Sequence, residues 1–185
     1  LACGYYLAKR ALPLVYMQNS GIGNAVNPLL SLCDPEVYSI PMLVVIGWRG
    51  EPNVKDEPQH IKQGKIQLNL LQAMDIPYEI ISKDDKNYKS KILKMSKLAL
   101  KDKRPTVLLI RKGTFESYVS SKKSNFKYKM TREEALEVIL KNLDKESIVV
   151  STTGKTSREI FELRKKNNQD HDKDFLTVGS MGHCS

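Results

Sequence analysis

The sequence predicts an α/β fold built on a parallel sheet, and three observations carry that prediction. Short apolar runs rich in Val, Ile and Leu recur along the chain, continuous rather than alternating, as in strands covered on both faces. Stretches with helical spacing of apolar residues lie between them, giving the strand–helix rhythm of a parallel sheet. The loops that follow several runs gather glycine and polar residues, as do the carboxyl ends of such sheets.

Taken in order, residues 1–8 have the pattern of the second half of a helix, with no capping residue in front. A strand is expected over 13–17, a helix over 24–32, a strand over 42–46 and a helix over 68–74. Strand 78–81, helix 89–100 and strand 106–110 complete this half. Residues 114–130 hold Ser, Lys and scattered aromatics with neither period, which reads as an interdomain linker. A helix over 131–143 opens on a capping box, Thr131 with Glu134 three residues on. Strand 147–151, helix 157–165 and strand 175–178 follow. The expected domains are therefore 1–113 and 131–185, joined by 114–130. Both ends look cut within a domain, so the chain reads as an internal piece of a longer protein. Residues beyond about 143 are then expected to leave strand edges and apolar faces uncovered, either poorly ordered or paired with another chain.

Composition narrows the function classes. Three cysteines, Cys3, Cys33 and Cys184, are widely spaced without a Cys-x-x-Cys. That suits a reducing, cytoplasmic protein and argues against a disulfide scaffold or a structural zinc. No stretch is long and apolar enough to span a bilayer. The net charge of +9 invites a nucleic-acid reading, but its distribution weakens it. Residues 83–104 carry nine basic and three acidic residues. There Ile92, Met95, Ala99 and Leu100 form an apolar stripe, which leaves Lys94, Lys97 and Lys101 on the wet face. No aromatic residues interleave with these lysines, so neither nucleic acid nor membrane is expected as a partner.

Three segments could carry chemistry. The first runs from Met17 to Asn27 and follows the first strand. Gly21 and Gly23 let the backbone turn, while Gln18, Asn19, Ser20 and Asn24 offer neutral hydrogen-bonding groups. It is not a dinucleotide fingerprint, since Val26 stands where the third glycine belongs; a binding lip and an ordinary strand–helix turn both remain open. The second, 47–60, leaves the second strand and concentrates Trp48, Arg49, Lys55, Asp56, Glu57 and His60 in a loop braced by Pro52 and Pro58. His60 could move a proton and Arg49 could grip an anion, or both could be surface residues. The third, Gly154-Lys155-Thr156-Ser157, resembles half of a P-loop. Val149 occupies the position of the required first glycine, so a Walker motif is excluded. What remains is a weaker anion seat at a helix start. No metal-ligand cluster and no Ser-His-Asp set is legible.

Four blocks in order resemble the thiamine diphosphate-dependent decarboxylases of 3-phosphonopyruvate, with the sulfopyruvate decarboxylases close by. They are Gln18 to Pro28, Gly47 to Gly50 with Asp56 to His60, Ser151 to Glu159, and Val178 to His183. The resemblance covers nearly the whole chain. It implies a thiamine diphosphate-binding fold, with a pyrimidine-type domain over 1–113 followed by the opening of a diphosphate-type domain. It also implies a homo-oligomer whose active sites lie between subunits.

The resemblance assigns roles as well. Gln18, Asn19, Asp56 and His60 would face the reacting carbon from the opposite subunit. Gly154, Thr156 and Ser157 would lie near the cofactor diphosphate. Gly179 would hold the cofactor's amino group through its carbonyl, and Met181 would wedge the cofactor into its bent shape. Arg49, Lys155 and Arg158 are candidates for the substrate's phosphono or sulfo group. The residues that anchor thiamine diphosphate and Mg2+ are expected largely outside this chain. The activating glutamate would lie upstream of Leu1 and the metal ligands beyond Ser185, so the 185 residues alone are expected to be inactive. Because linker and second-domain opening sit in one chain, the phosphonate substrate is favoured over sulfopyruvate. A non-catalytic assembly fragment is the reading from another class.

Overall fold

The computed structural model describes residues 1–119, 128–152 and 154–177. Its contacts divide the chain into two compact units, Leu1–Tyr118 and Val119–Ser185.

The first unit runs α1 (Ala2–Lys9), β1 (Leu14–Gln18), a single 3-10 turn (Asn19–Gly21), α2 (Ile22–Ser31), β2 (Met42–Gly47), α3 (Pro58–Ala73), β3 (Tyr78–Ile81), α4 (Tyr88–Asp102) and β4 (Pro105–Ile110). The four strands form one parallel sheet in the order β1-β2-β4-β3. Register places Gln18 beside Gly47, Gly47 beside Ile110 and Ile81 beside Ile110, so all four strands end in one row.

Strand period decides which residue enters which core. On one face Met42, Val44 and Ile46 of β2 and Val107 and Leu109 of β4 pack with Ile22, Leu29, Cys33, Leu71 and Met74. On the other, Leu43, Leu108 and Ile110 pack with Ile81 and Met95. Every residue of β4 is buried, which explains its unbroken apolar run. β1 departs from the expectation of two covered faces. It is an edge strand, and Leu14 and Tyr16 are exposed, because α4 packs on β2, β3 and β4.

The helix expected over 68–74 is in fact α3, ten residues longer at its start. Pro58 opens it at N1, where the missing N–H costs nothing. The polar residues of its outer face hide the period. Its buried residues are Gly64, Gln67 and Leu71, a stripe at helical spacing that begins on a glycine, a poor helix former. The reason for that glycine is proximity. A Cβ at Gly64 would stand 1.8 Å from the Gly50 carbonyl oxygen, and one at Gly50, whose φ is +65°, would stand 1.9 Å from that of His60.

The second unit holds α5 (Arg132–Asn142), β5 (Val149–Ser151), α6 (Lys155–Lys166) and β6 (Asp174–Leu176), with β5 and β6 paired in parallel. The Thr131–Glu134 capping box forms as expected. Leu140, Ile160 and Leu163 make a small core. The expectation of uncovered strand edges and apolar faces beyond 143 is met only in part, because α6 and the β5–β6 pair close on this core. Ile148, Val150 and Phe175 nevertheless remain exposed.

Candidate active site

The loops after β1 and β2 meet at the carboxyl edge of the four-stranded sheet. Asn19 is fully buried there. Its amide accepts from the Arg49 N–H at 2.9 Å and donates to the Arg49 carbonyl at 2.8 Å. One side chain thus satisfies both backbone groups of a loop residue that has left the ladder. Gln18 ends β1 beside it, exposed, and Ser20 Oγ lies 3.4 Å from its Oε1.

The second loop folds around the Asp56 carboxylate, whose side chain is only 5% exposed. Arg49 donates from Nε at 2.9 Å and from Nη2 at 2.6 Å. The Gly50 and Glu57 N–H groups each donate at 2.8 Å. His60 Nδ1 lies 3.2 Å from Oδ1. Hydrogen bonds to Arg49 first, and then to the backbone and His60, hold the Asp56 carboxyl well below the usual carboxylate range. The same pairing raises the Arg49 guanidinium. Because Asp56 is anionic, it selects the His60 tautomer with the proton on Nδ1, leaving Nε2 to accept or carry one. Sequence placed His60 in a loop; it sits in the first turn of α3, on the face of Gly64. Trp48 braces this helix, its indole donating to the Gly64 carbonyl at 3.0 Å.

Arg49 therefore has a carboxylate partner of its own and keeps about a third of its side chain exposed. A second arginine–carboxylate pair, Arg111 with the buried Glu51, crosses from the end of β4 to the same loop at 2.6 Å. Sequence reading did not find it, since the partners are 60 residues apart.

In the second unit Gly154 caps α6 with φ +102°, and among the described residues no side chain caps that helix. Lys155 and Arg158 are exposed, and Thr156 is partly so. Of the residues expected near the diphosphate or the anionic tail here, Ser157 is the buried one. It is fully buried, its Oγ 2.7 Å from Ser151 Oγ and donating to the Thr152 carbonyl at 2.7 Å. It acts as a strut between β5 and α6. Gly179 and Met181 lie outside the described residues. Among the described residues no group of three or more His, Cys, Asp or Glu side chains is placed to hold a metal ion, and no helix is long and apolar enough to cross a membrane.

No protein-family model matches the chain. Curated proteins do. The chain is 35% identical to the phosphonopyruvate decarboxylase of Streptomyces viridochromogenes over 91% of its own length and 44% of that protein's. It is 33% identical to that of Streptomyces hygroscopicus over the same shares. The sulfopyruvate decarboxylase subunit alpha of Methanococcus maripaludis is 37% identical over 58% of this chain and 61% of its own length. The chain thus spans less than half the length of the phosphonopyruvate decarboxylases it matches. Its similarity to them runs through both units, and the chain is a relative of the phosphonopyruvate and sulfopyruvate decarboxylases.

Proposed function

We propose that this chain forms part of a decarboxylase that converts 3-phosphonopyruvate to phosphonoacetaldehyde and carbon dioxide with thiamine diphosphate and Mg2+. The observation that carries it is the degree of similarity along the chain. The two phosphonopyruvate decarboxylases are 35% and 33% identical over 91% of the chain, whereas a sulfopyruvate decarboxylase that matches 100% of it is 25% identical and the alpha subunits match 58% or less. In this reading residues 1–113 are the pyrimidine-type domain, 114–130 the linker and 131–185 the opening of the diphosphate-type domain. The protein is a cytoplasmic homo-oligomer with sites between subunits.

Decarboxylation of a 2-oxo acid leaves an electron pair on the former carbonyl carbon, for which the thiamine ring is the acceptor. The residues present fit that group at one end. Among the described residues no side chain caps the start of α6, and Gly154 has open space where a side chain would stand. Gly154 and Thr156 would hold the diphosphate, with Ser157 fixing their turn from beneath. Gly179 and Met181 would hold the pyrimidine. His60, fixed by Asp56, moves a proton at Nε2 to the carbon that has lost carbon dioxide. Asn19 positions that loop, and Gln18 hydrogen-bonds substrate from the lip. Arg49, Lys155 and Arg158 attract the anionic tail.

The test is to supply the protein carrying this segment with 3-phosphonopyruvate, thiamine diphosphate and Mg2+ and to follow phosphonoacetaldehyde. Release of that aldehyde, with sulfopyruvate turned over at least tenfold more slowly, is expected. Faster turnover of sulfopyruvate would transfer the reading to the other relatives. No turnover of either would sink it.

A further inference from the structure

At the carboxyl ends of β1, β2 and β4 lies a cavity of about 200 Å³, of whose walls only Arg49 has been given a role above. Its walls include Tyr16, Gly47, Arg49, Arg111, Lys112 and Thr114. It sits at the carboxyl edge of the parallel sheet, the edge at which open α/β sheets bind ligands.

The charge in this cavity does not cancel. Arg49 is matched by Asp56 and Arg111 by Glu51. Lys112 is exposed, and its ammonium donates to the Lys55 carbonyl at 2.8 Å. Among the described residues it has no carboxylate within ion-pair range. Three cations against two carboxylates leave an excess of one positive charge. The two arginines are committed to carboxylates, whereas the Lys112 ammonium is held by one carbonyl alone. Gly47 leaves the floor open, the Tyr16 hydroxyl lying 4.0 Å from the place its Cβ would take. That hydroxyl has no hydrogen-bond partner among the described residues. The space equals about six or seven waters, enough for a tetrahedral oxyanion with the carbon that bears it.

We infer that this cavity seats a small tetrahedral oxyanion, the phosphonate or sulfonate end of the 2-oxo acid, on Lys112, with the paired Arg111 and Arg49 behind it and the Tyr16 hydroxyl as a neutral donor. The identity of the ligand rests on the decarboxylase reading; the oxyanion seat rests on the cavity itself. The seat lies at the same row of strand ends as Gln18.

The experiment titrates the protein with methylphosphonate by calorimetry, with methanesulfonate and acetate as competitors. Three variants, Lys112→Ala, Tyr16→Phe and Lys97→Ala, are compared. Lys97 lies on the solvent face of α4 and removes the same charge elsewhere. Lys112→Ala is expected to weaken binding at least tenfold and Tyr16→Phe about threefold, with Lys97→Ala unchanged and methanesulfonate a better competitor than acetate. Equal losses from Lys97→Ala and Lys112→Ala would reduce the seat to diffuse charge and overturn it. So would unchanged binding in both Lys112→Ala and Tyr16→Phe, with thermal midpoints showing all variants folded.

Turnover separates the two readings. If the protein decarboxylates phosphonopyruvate and Lys112→Ala leaves KM unchanged, the seat fails and the activity stands. If methylphosphonate binding depends on Lys112 but no substrate turns over, the seat stands and the activity fails.

Discussion

The two units carry the same three residue types in nearly the same arrangement. In the first, Arg49 grips the buried Asp56 with two nitrogens and His60 Nδ1 lies 3.2 Å away. In the second, Arg164 grips the buried Asp174 with two nitrogens and His171 Nδ1 lies 3.2 Å away. Position separates them. Asp56 follows the carboxyl end of β2 and also takes two backbone N–H groups, one of them at the start of α3. Asp174 begins β6, at the amino end of its strand, and His171 is stacked on Phe161 with ring centres 4.4 Å apart. The first group faces the edge where parallel sheets bind ligands, and the second fastens the α6–β6 loop. An Arg–Asp–His set is thus no signature of chemistry until its place on the sheet is known.

The comparison breaks or sharpens most strongly on activity. His60→Gln should lower kcat by about 10²–10⁴-fold, the ordinary worth of a positioned acid–base group. His171→Gln should leave kcat unchanged and lower only the thermal midpoint. A similar loss of kcat in both would erase the distinction.

Stability of the surrounding loop comes next. Gly64→Ala drives a methyl into the Gly50 backbone and should cost about 3 kcal/mol or more in denaturant unfolding. Replacing Gly113 by Ala, where nothing lies within 4 Å, tests backbone strain without any clash, and it should cost less.

Acid titration sharpens the difference between the carboxylates. Folding depresses the Asp56 pKa, so its contribution is fully present above the unfolded-state value of about 4 and is lost as pH falls below it. At pH 7 Asp56→Asn should cost about 2 kcal/mol, and its deficit relative to wild type should shrink between about pH 4 and pH 2. A deficit that stays constant over this interval would contradict the pairing.

The smallest effect is expected at Arg132→Ala, which removes an exposed ion pair with Glu159 and should leave the unfolding midpoint unmoved.

The parallel sheet was legible because β2 and β4 are buried on both faces and show it as unbroken apolar runs. The first half of α3 was not. Its outer face is polar, and Gly64 counts against a helix unless the approach of Gly50 is known. Asp56 and His60 were legible as a dense polar loop, and the seven-residue spacing from Arg49 to Asp56 could have announced their pair. Ser157 could not be read as a strut, because its burial depends on how β5 meets α6. The Glu51–Arg111 pair depends on β2 and β4 becoming neighbours while β3 lies between them in sequence, which no local pattern records.

The amide clamp at Asn19 has a consequence for motion. Arg49 lies beyond the last rung of β2, where a loop N–H ordinarily exchanges its hydrogen quickly with water. Because a fully buried side chain holds that N–H, it can open only when the turn after β1 opens too. The Arg49 amide should therefore exchange as slowly as the strand it follows, and at the same rate before and after any ligand enters the neighbouring cavity.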